Sequence, residues 1–76
     1  MERKLLVKAN WDSEAKVWVA ESDDVPGLVA EAGNMEQLIA KLKILIPELL
    51  ELNKSIDYGD SIPFCLTSEY SDVIHG

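Results

Sequence analysis

A chain of 76 residues supports one domain around one core, and at this size folding buries only about 60% of the unfolded surface. Fourteen acids against seven bases give a formal net charge of −7, which disfavours a duplex nucleic-acid binder built on phosphate contacts. A single cysteine excludes an internal disulfide and makes a reduced cytoplasm the default expectation, and no apolar run approaches the ~20 residues of a membrane span.

The N-terminal stretch carries basic residues and then aliphatics, but Lys8, Asn10 and Asp12 end the run too early for a signal peptide. Lys4 to Trp11 alternates with period two, placing Leu5, Val7, Ala9 and Trp11 on one face of a first strand. Leu6 spoils the polarity of the other face. Asp12 to Lys16 is polar and reads as a hairpin loop. Val17 to Ala20 is a second strand, apolar on both faces. Asp23-Asp-Val-Pro-Gly27 is the strongest punctuation in the chain. Pro fixes its own φ and restricts the residue before it, and Gly27 opens conformations closed to other residues. Leu28 to Ala32 is a short third strand.

Asn34 to Asn53 is the one long helical signal. At about 100° per residue, Met35, Leu38, Ile39, Leu42, Leu45, Ile46, Leu49, Leu50 and Leu52 fall on one stripe, with Ile44 stranded opposite. Asn34 is a good N-cap, and Gln37 three residues on completes a variant of the capping box. Pro47 lies on the solvent side of the wheel. It kinks the helix or breaks it, with helical geometry resuming at once. Asn53 to Ser61 reads as a loop, and Ile62 to Leu66 as a fourth strand that Pro63 pushes to an edge or a strand start. Residues 68–76 carry no clear pattern, although Tyr70, Val73 and Ile74 offer an appended turn or short strand. The expected fold is α+β: a three- to four-stranded antiparallel sheet in the order β-β-β-α-β, packed on one long amphipathic helix.

One helix covers one face of such a sheet, yet Leu6, Trp11, Val17, Trp18, Val19 and Val29 cannot all point to it. Antiparallel sheets with a wet face normally alternate cleanly. The second face therefore calls for a cover, either a second copy of the chain, with a dimer favoured, or a partner protein.

Catalytic chemistry finds no foothold. His75 is the only histidine and sits one residue from the end of the chain, a poor place for a general base. Cys65 falls in a strand and reads as a buried structural thiol. Asp23 and Asp24 suit turn capping better than the spaced ligand set of a cation loop. No phosphate loop, zinc spacing or nucleophile elbow occurs. No enzyme activity, metal or cofactor is expected. The acids are more informative. From Val17 to Ala40 there is no Lys or Arg, while Glu21, Asp23, Asp24, Glu31 and Glu36 all lie there. Such a band either serves as a solvated surface or complements a basic partner, steering it by long-range attraction.

Asp24-Val-Pro-Gly-Leu28, then Glu31-Ala-Gly-Asn-Met-Glu-Gln-Leu38 and the aliphatic helix after it, resemble the HicB-like antitoxin family. Trp11-Asp12, Glu14 and Val17-Trp-Val-Ala20 look more particularly like a small uncharacterised subgroup of it. The resemblance covers about residues 4–53. It implies a partial ribonuclease-H-like fold without nuclease activity, in a protein that oligomerises and neutralises a small basic toxin that cleaves messenger RNA. Fuller relatives add a DNA-binding segment after this domain, and the few residues after Tyr70 do not encode one, so direct nucleic-acid binding is not expected. On this reading Glu21, Asp23, Asp24, Glu31 and Glu36 form the partner surface, with Trp18 as an anchor. The alternative is an orphan oligomeric scaffold or regulator with no toxin.

Overall fold

The computed structural model describes residues 4–53 and 61–75. The elements are β1 (Leu5–Asp12), β2 (Val17–Glu21), β3 (Val29–Ala32), α1 (Met35–Leu52) and β4 (Phe64–Glu69). They form one four-stranded sheet in the order β3-β2-β1-β4, with α1 packed on one face. The β-β-β-α-β order and the α+β class agree with the sequence. The loop expected over 53–61 lies mostly outside the described residues.

The alternation of β1 becomes alternating burial. Leu5, Val7 and Ala9 are buried while Leu6, Lys8 and Asn10 are exposed. β1 pairs antiparallel with β2, Ala9 opposite Ala20 and Trp11 opposite Trp18. β2 pairs antiparallel with β3, Ala20 opposite Ala30 and Trp18 opposite Ala32. Alanines thus pave the sheet where the helix crosses it, and their small side chains let α1 approach closely over β3 and β2.

β4 corrects the expectation of an all-antiparallel sheet. It runs parallel to β1, Leu5 beside Phe64 and Val7 beside Leu66, so the sheet is mixed. The reason is the connection. α1 carries the chain back along the length of β3, so the next strand starts where β3 starts and runs the same way, which is also the direction of β1. β4 also begins and ends later than the Ile62–Leu66 run, and it takes an edge position with Pro63 just before it, its carbonyl accepting from Leu5 N–H at 3.0 Å.

α1 is one helix of 18 residues that continues through Pro47, so the break is excluded. Its start is as the sequence dictates: Asn34 Oδ1 accepts from Gln37 N–H at 2.8 Å. Leu38, Leu42, Ile46 and Leu50 are buried, a ridge at spacing four, with Met35, Leu45 and Leu49 packed at its sides. Ile44 is exposed as expected. Leu52 is not part of the buried stripe: it is 77% exposed, at the outer edge of the helical arc, while Leu50 in the same turn is buried. Residues 70–75 form no strand and are exposed.

The D-V-P-G segment is a built corner. Leu28 N–H donates to Val25 carbonyl at 3.1 Å, and Gly27 has φ +84°, the pattern of a type II turn with Pro first and Gly second in the middle. The turn drives Val25 fully into the core. Its Pro26 carbonyl accepts from Asn53 Nδ2 at 3.0 Å, which pins the end of α1 to the corner.

Candidate partner-binding surface

The sheet has two different faces. The helix side carries Leu5, Val7, Ala9, Ala20, Ala30 and Ala32, all buried. Among the described residues, no helix or strand lies over the other side. Register defines that open face row by row. Glu31, Val19, Asn10 and Glu69 form one row across all four strands, and Val29, Glu21, Lys8 and Thr67 form the next. Leu6 and Cys65 follow at one end, Val17 and Asp12 at the other. Leu6 is 60% and Val29 70% exposed, while Val17 and Val19 are half-buried. The result is aliphatic side chains interleaved with carboxylates, and Lys8 as the cation among them.

The proposed partner residues divide between the two sides. Glu21 and Glu31 stand on the open face and are exposed. Asp23 is exposed in the turn after β2, at the rim of a shallow depression also lined by Leu6, Lys8, Glu21, Ser22 and Asp24. Glu36 sits in the first turn of α1, and Trp18 points to the helix side. The band continuous in sequence is therefore not one surface. Glu69, brought in by the register of β4, completes the open-face row that Glu31 begins. Sequence spacing alone does not reveal that, because the register of β4 against β1 is a long-range property.

Asp24 has a second employment. The β1–β2 ladder ends at Lys8 opposite Glu21, and two side chains take it one step further. Leu6 N–H donates to Asp24 Oδ2 at 2.8 Å, and Ser22 Oγ donates to Leu6 carbonyl at 2.6 Å. Ser22 Oγ in turn accepts from Asp24 N–H at 3.0 Å. Asp24 is thus half-buried and committed to holding the corner, as turn capping requires. Asp12 acts similarly in the first hairpin: its Oδ1 accepts from Glu14 and Ala15 N–H at 3.0 and 3.2 Å.

Trp11 shares a face with Leu5, Val7 and Ala9, as period two predicts, and the register puts Trp18 on the same side. Trp11 and Trp18 stand on the helix side, beyond the start of α1, with ring centroids 5.4 Å apart. Tyr70 stacks on Trp11 at 5.7 Å and lies 6.1 Å from Trp18. This aromatic cluster seals the end of the core that the helix leaves bare, so Trp18 is packing and not part of the acidic face. Tyr70 Oη donates to Asp72 Oδ2 at 2.8 Å, which raises the phenol above its ordinary value. Asp72 is held below the usual carboxylate range, first by Val73 N–H and then by this phenol. Cys65 is exposed on the open side of β4, not buried. An edge strand that alternates faces puts its small middle residue outward here. No group of His, Cys, Asp and Glu among the described residues has the arrangement of a metal site, and none of their helices is long and apolar enough to cross a membrane.

Comparison with known proteins places these features in a family. No curated protein matches the chain. A solved structure, that of a hypothetical protein, TTHA1013, from the extremely thermophilic bacterium Thermus thermophilus, is similar at 49% identity and a TM-score of 0.73. The match covers 97% of this chain and 100% of that one. Residues 4–75 match the model of a domain of unknown function, DUF1902, and the chain belongs to that family.

Proposed function

We propose that this chain is a non-catalytic, HicB-like antitoxin-type binding protein of the cytoplasm that oligomerises and masks a small basic, messenger-RNA-cleaving protein. The observation that carries the reading is the uncovered sheet face, where Glu21, Glu31 and Glu69 stand among aliphatic side chains. A surface of that make-up suits a cationic protein better than nucleic acid, whose phosphates it repels. The D-x-P-G corner and the Asn-capped helix, on which the resemblance to HicB-like proteins rests, are both intact elements of this fold.

Oligomerisation is supported at a different place. β4 is an edge strand whose residues from Phe64 to Ser68 carry no charge. Beside it, Ile62 and Phe64 form a largely apolar cleft with Leu42, Ile46 and Pro47, and Lys43 also lines it. Free, uncharged edges of this kind pair readily with another chain. Two copies meeting there leave the acidic face available.

The reading is tested by co-purification at low salt from the native lysate, followed by a cleavage assay. The expected outcome is a small basic protein whose messenger-RNA cleavage stops at stoichiometric amounts of this chain. Recovery of the bait alone, as a defined oligomer, contradicts it and favours an orphan scaffold.

A further inference from the structure

We propose that the open sheet face alone is the docking surface for the basic partner, and that its occupant is an arginine- or lysine-rich protein surface laid across β3, β2 and β1. This rests on the masking function proposed above, and it removes Trp18 and Glu36 from the contact.

The open face is chequered, with aliphatic and carboxylate side chains alternating across its strands. Val29 and Glu21 are cross-strand neighbours, and so are Val19 and Glu31. Long cationic side chains suit this pattern, because their aliphatic stems pack on apolar groups while their charged heads reach carboxylates beside them. A purely aliphatic partner leaves Glu31 desolvated without a counter-charge and Glu21 with Lys8 alone beside it, which is costly. Nucleic acid meets like charge. A second copy presents the same face, on which Asp12, Glu21, Glu31 and Glu69 outnumber Lys8, so two such faces repel on balance. Charge complementarity thus selects a basic protein over the alternatives.

The other side is already occupied. Trp18 is packed against the core and the other aromatic rings. Glu36 lies on α1, separated from the open face by the thickness of the sheet. Asp24 is bound to Leu6 and is a positioning residue: it holds the end of β1, where Leu6 stands on the docking face.

The test uses the full chain and a synthetic 18-residue peptide of alternating arginine and leucine pairs, titrated while amide chemical shifts are followed. The expected shifts centre on Val19, Glu21, Val29 and Glu31, with little change in tryptophan fluorescence. Glu31→Lys weakens binding about tenfold, while Glu36→Lys, an equal change in net charge on the other side, changes it less than about twofold. Val29→Ser, at an exposed position that keeps the fold, weakens binding about threefold, which a purely ionic contact does not do. Shifts centred on α1, or equal weakening by Glu31→Lys and Glu36→Lys, overturn the face assignment and leave the masking function standing. A face closed by a second copy, with dimers that Val29→Ser dissociates, also overturns it. A peptide that binds nowhere on the chain overturns the basic-partner reading itself.

Discussion

Asp24 and Asp23 are adjacent carboxylates with different work. Asp24 Oδ2 satisfies the Leu6 N–H that the β1–β2 ladder no longer reaches, whereas Asp23 points into solvent. Removing a hydrogen bond to a charged acceptor at a half-buried position costs about 1–2 kcal/mol. Asp24→Ala is therefore expected to lower stability in urea unfolding by that amount, and Asp23→Ala to stay within about 0.5 kcal/mol. Equal effects would mean that the corner is not held by Asp24. A second residue-scale prediction concerns Tyr70. Its phenol is raised chiefly by the bond to Asp72, whereas the Asp72 carboxyl is lowered first by Val73 N–H and then by this phenol. A depressed carboxyl contributes above its unfolded value and loses that contribution as pH falls through the folded one; a raised phenol loses its own as pH climbs through the folded value. The contact thus spans neutral pH and opens at both extremes. In an ultraviolet titration of the chain, which has two tyrosines, Asp72→Asn should move one component down toward the ordinary value of 10.0. An unchanged titration would mean that Tyr70 does not bond Asp72 in solution.

Among the elements, the helix was the most legible in the sequence and the fourth strand the least. Asn34 announces the start of α1, and a stripe at spacing three and four announces its buried face. The fold uses Leu38, Leu42, Ile46 and Leu50 from that stripe. Ile46→Ala should cost about 2–5 kcal/mol in chemical unfolding, since it opens a cavity over the alanine-paved sheet. Ile44→Ala, on the exposed side, should stay within about 0.5 kcal/mol. Similar losses would mean that a second molecule covers the outer side of α1. Pro47 shows why local rules have a limit: an interior proline costs about 3 kcal/mol in an isolated helix, but burial of leucines on either side keeps α1 continuous. The direction of β4 was implicit in the chain order, because a helix that returns along β3 must deliver a parallel strand. Period two already put Trp11 with Leu5, Val7 and Ala9, whereas the exposure of Cys65 and the place of Trp18 over the core were not implicit. Both depend on strand register, which is fixed by contacts far apart in sequence.

At the scale of the whole molecule, the charge was legible as a number and illegible as a surface. Glu21, Asp23, Asp24, Glu31 and Glu36 form one band in the chain, yet the fold sends Glu36 to the helix side, gives Asp24 a structural bond and adds Glu69 from β4. That the second face carries apolar side chains was readable from Leu6, Val17, Val19 and Val29, which all stand there. Among the described residues no helix or strand lies over that face, and a net charge of −7 favours a cationic partner over an anionic one. The most direct measurement is a low-salt pull-down from the native lysate with the unaltered chain, Glu31→Lys and Glu36→Lys as parallel baits. The account predicts that the unaltered chain and Glu36→Lys retain one small basic protein, released by added salt, and that Glu31→Lys recovers little of it. Three baits that return only themselves, each as the same oligomer, would contradict it.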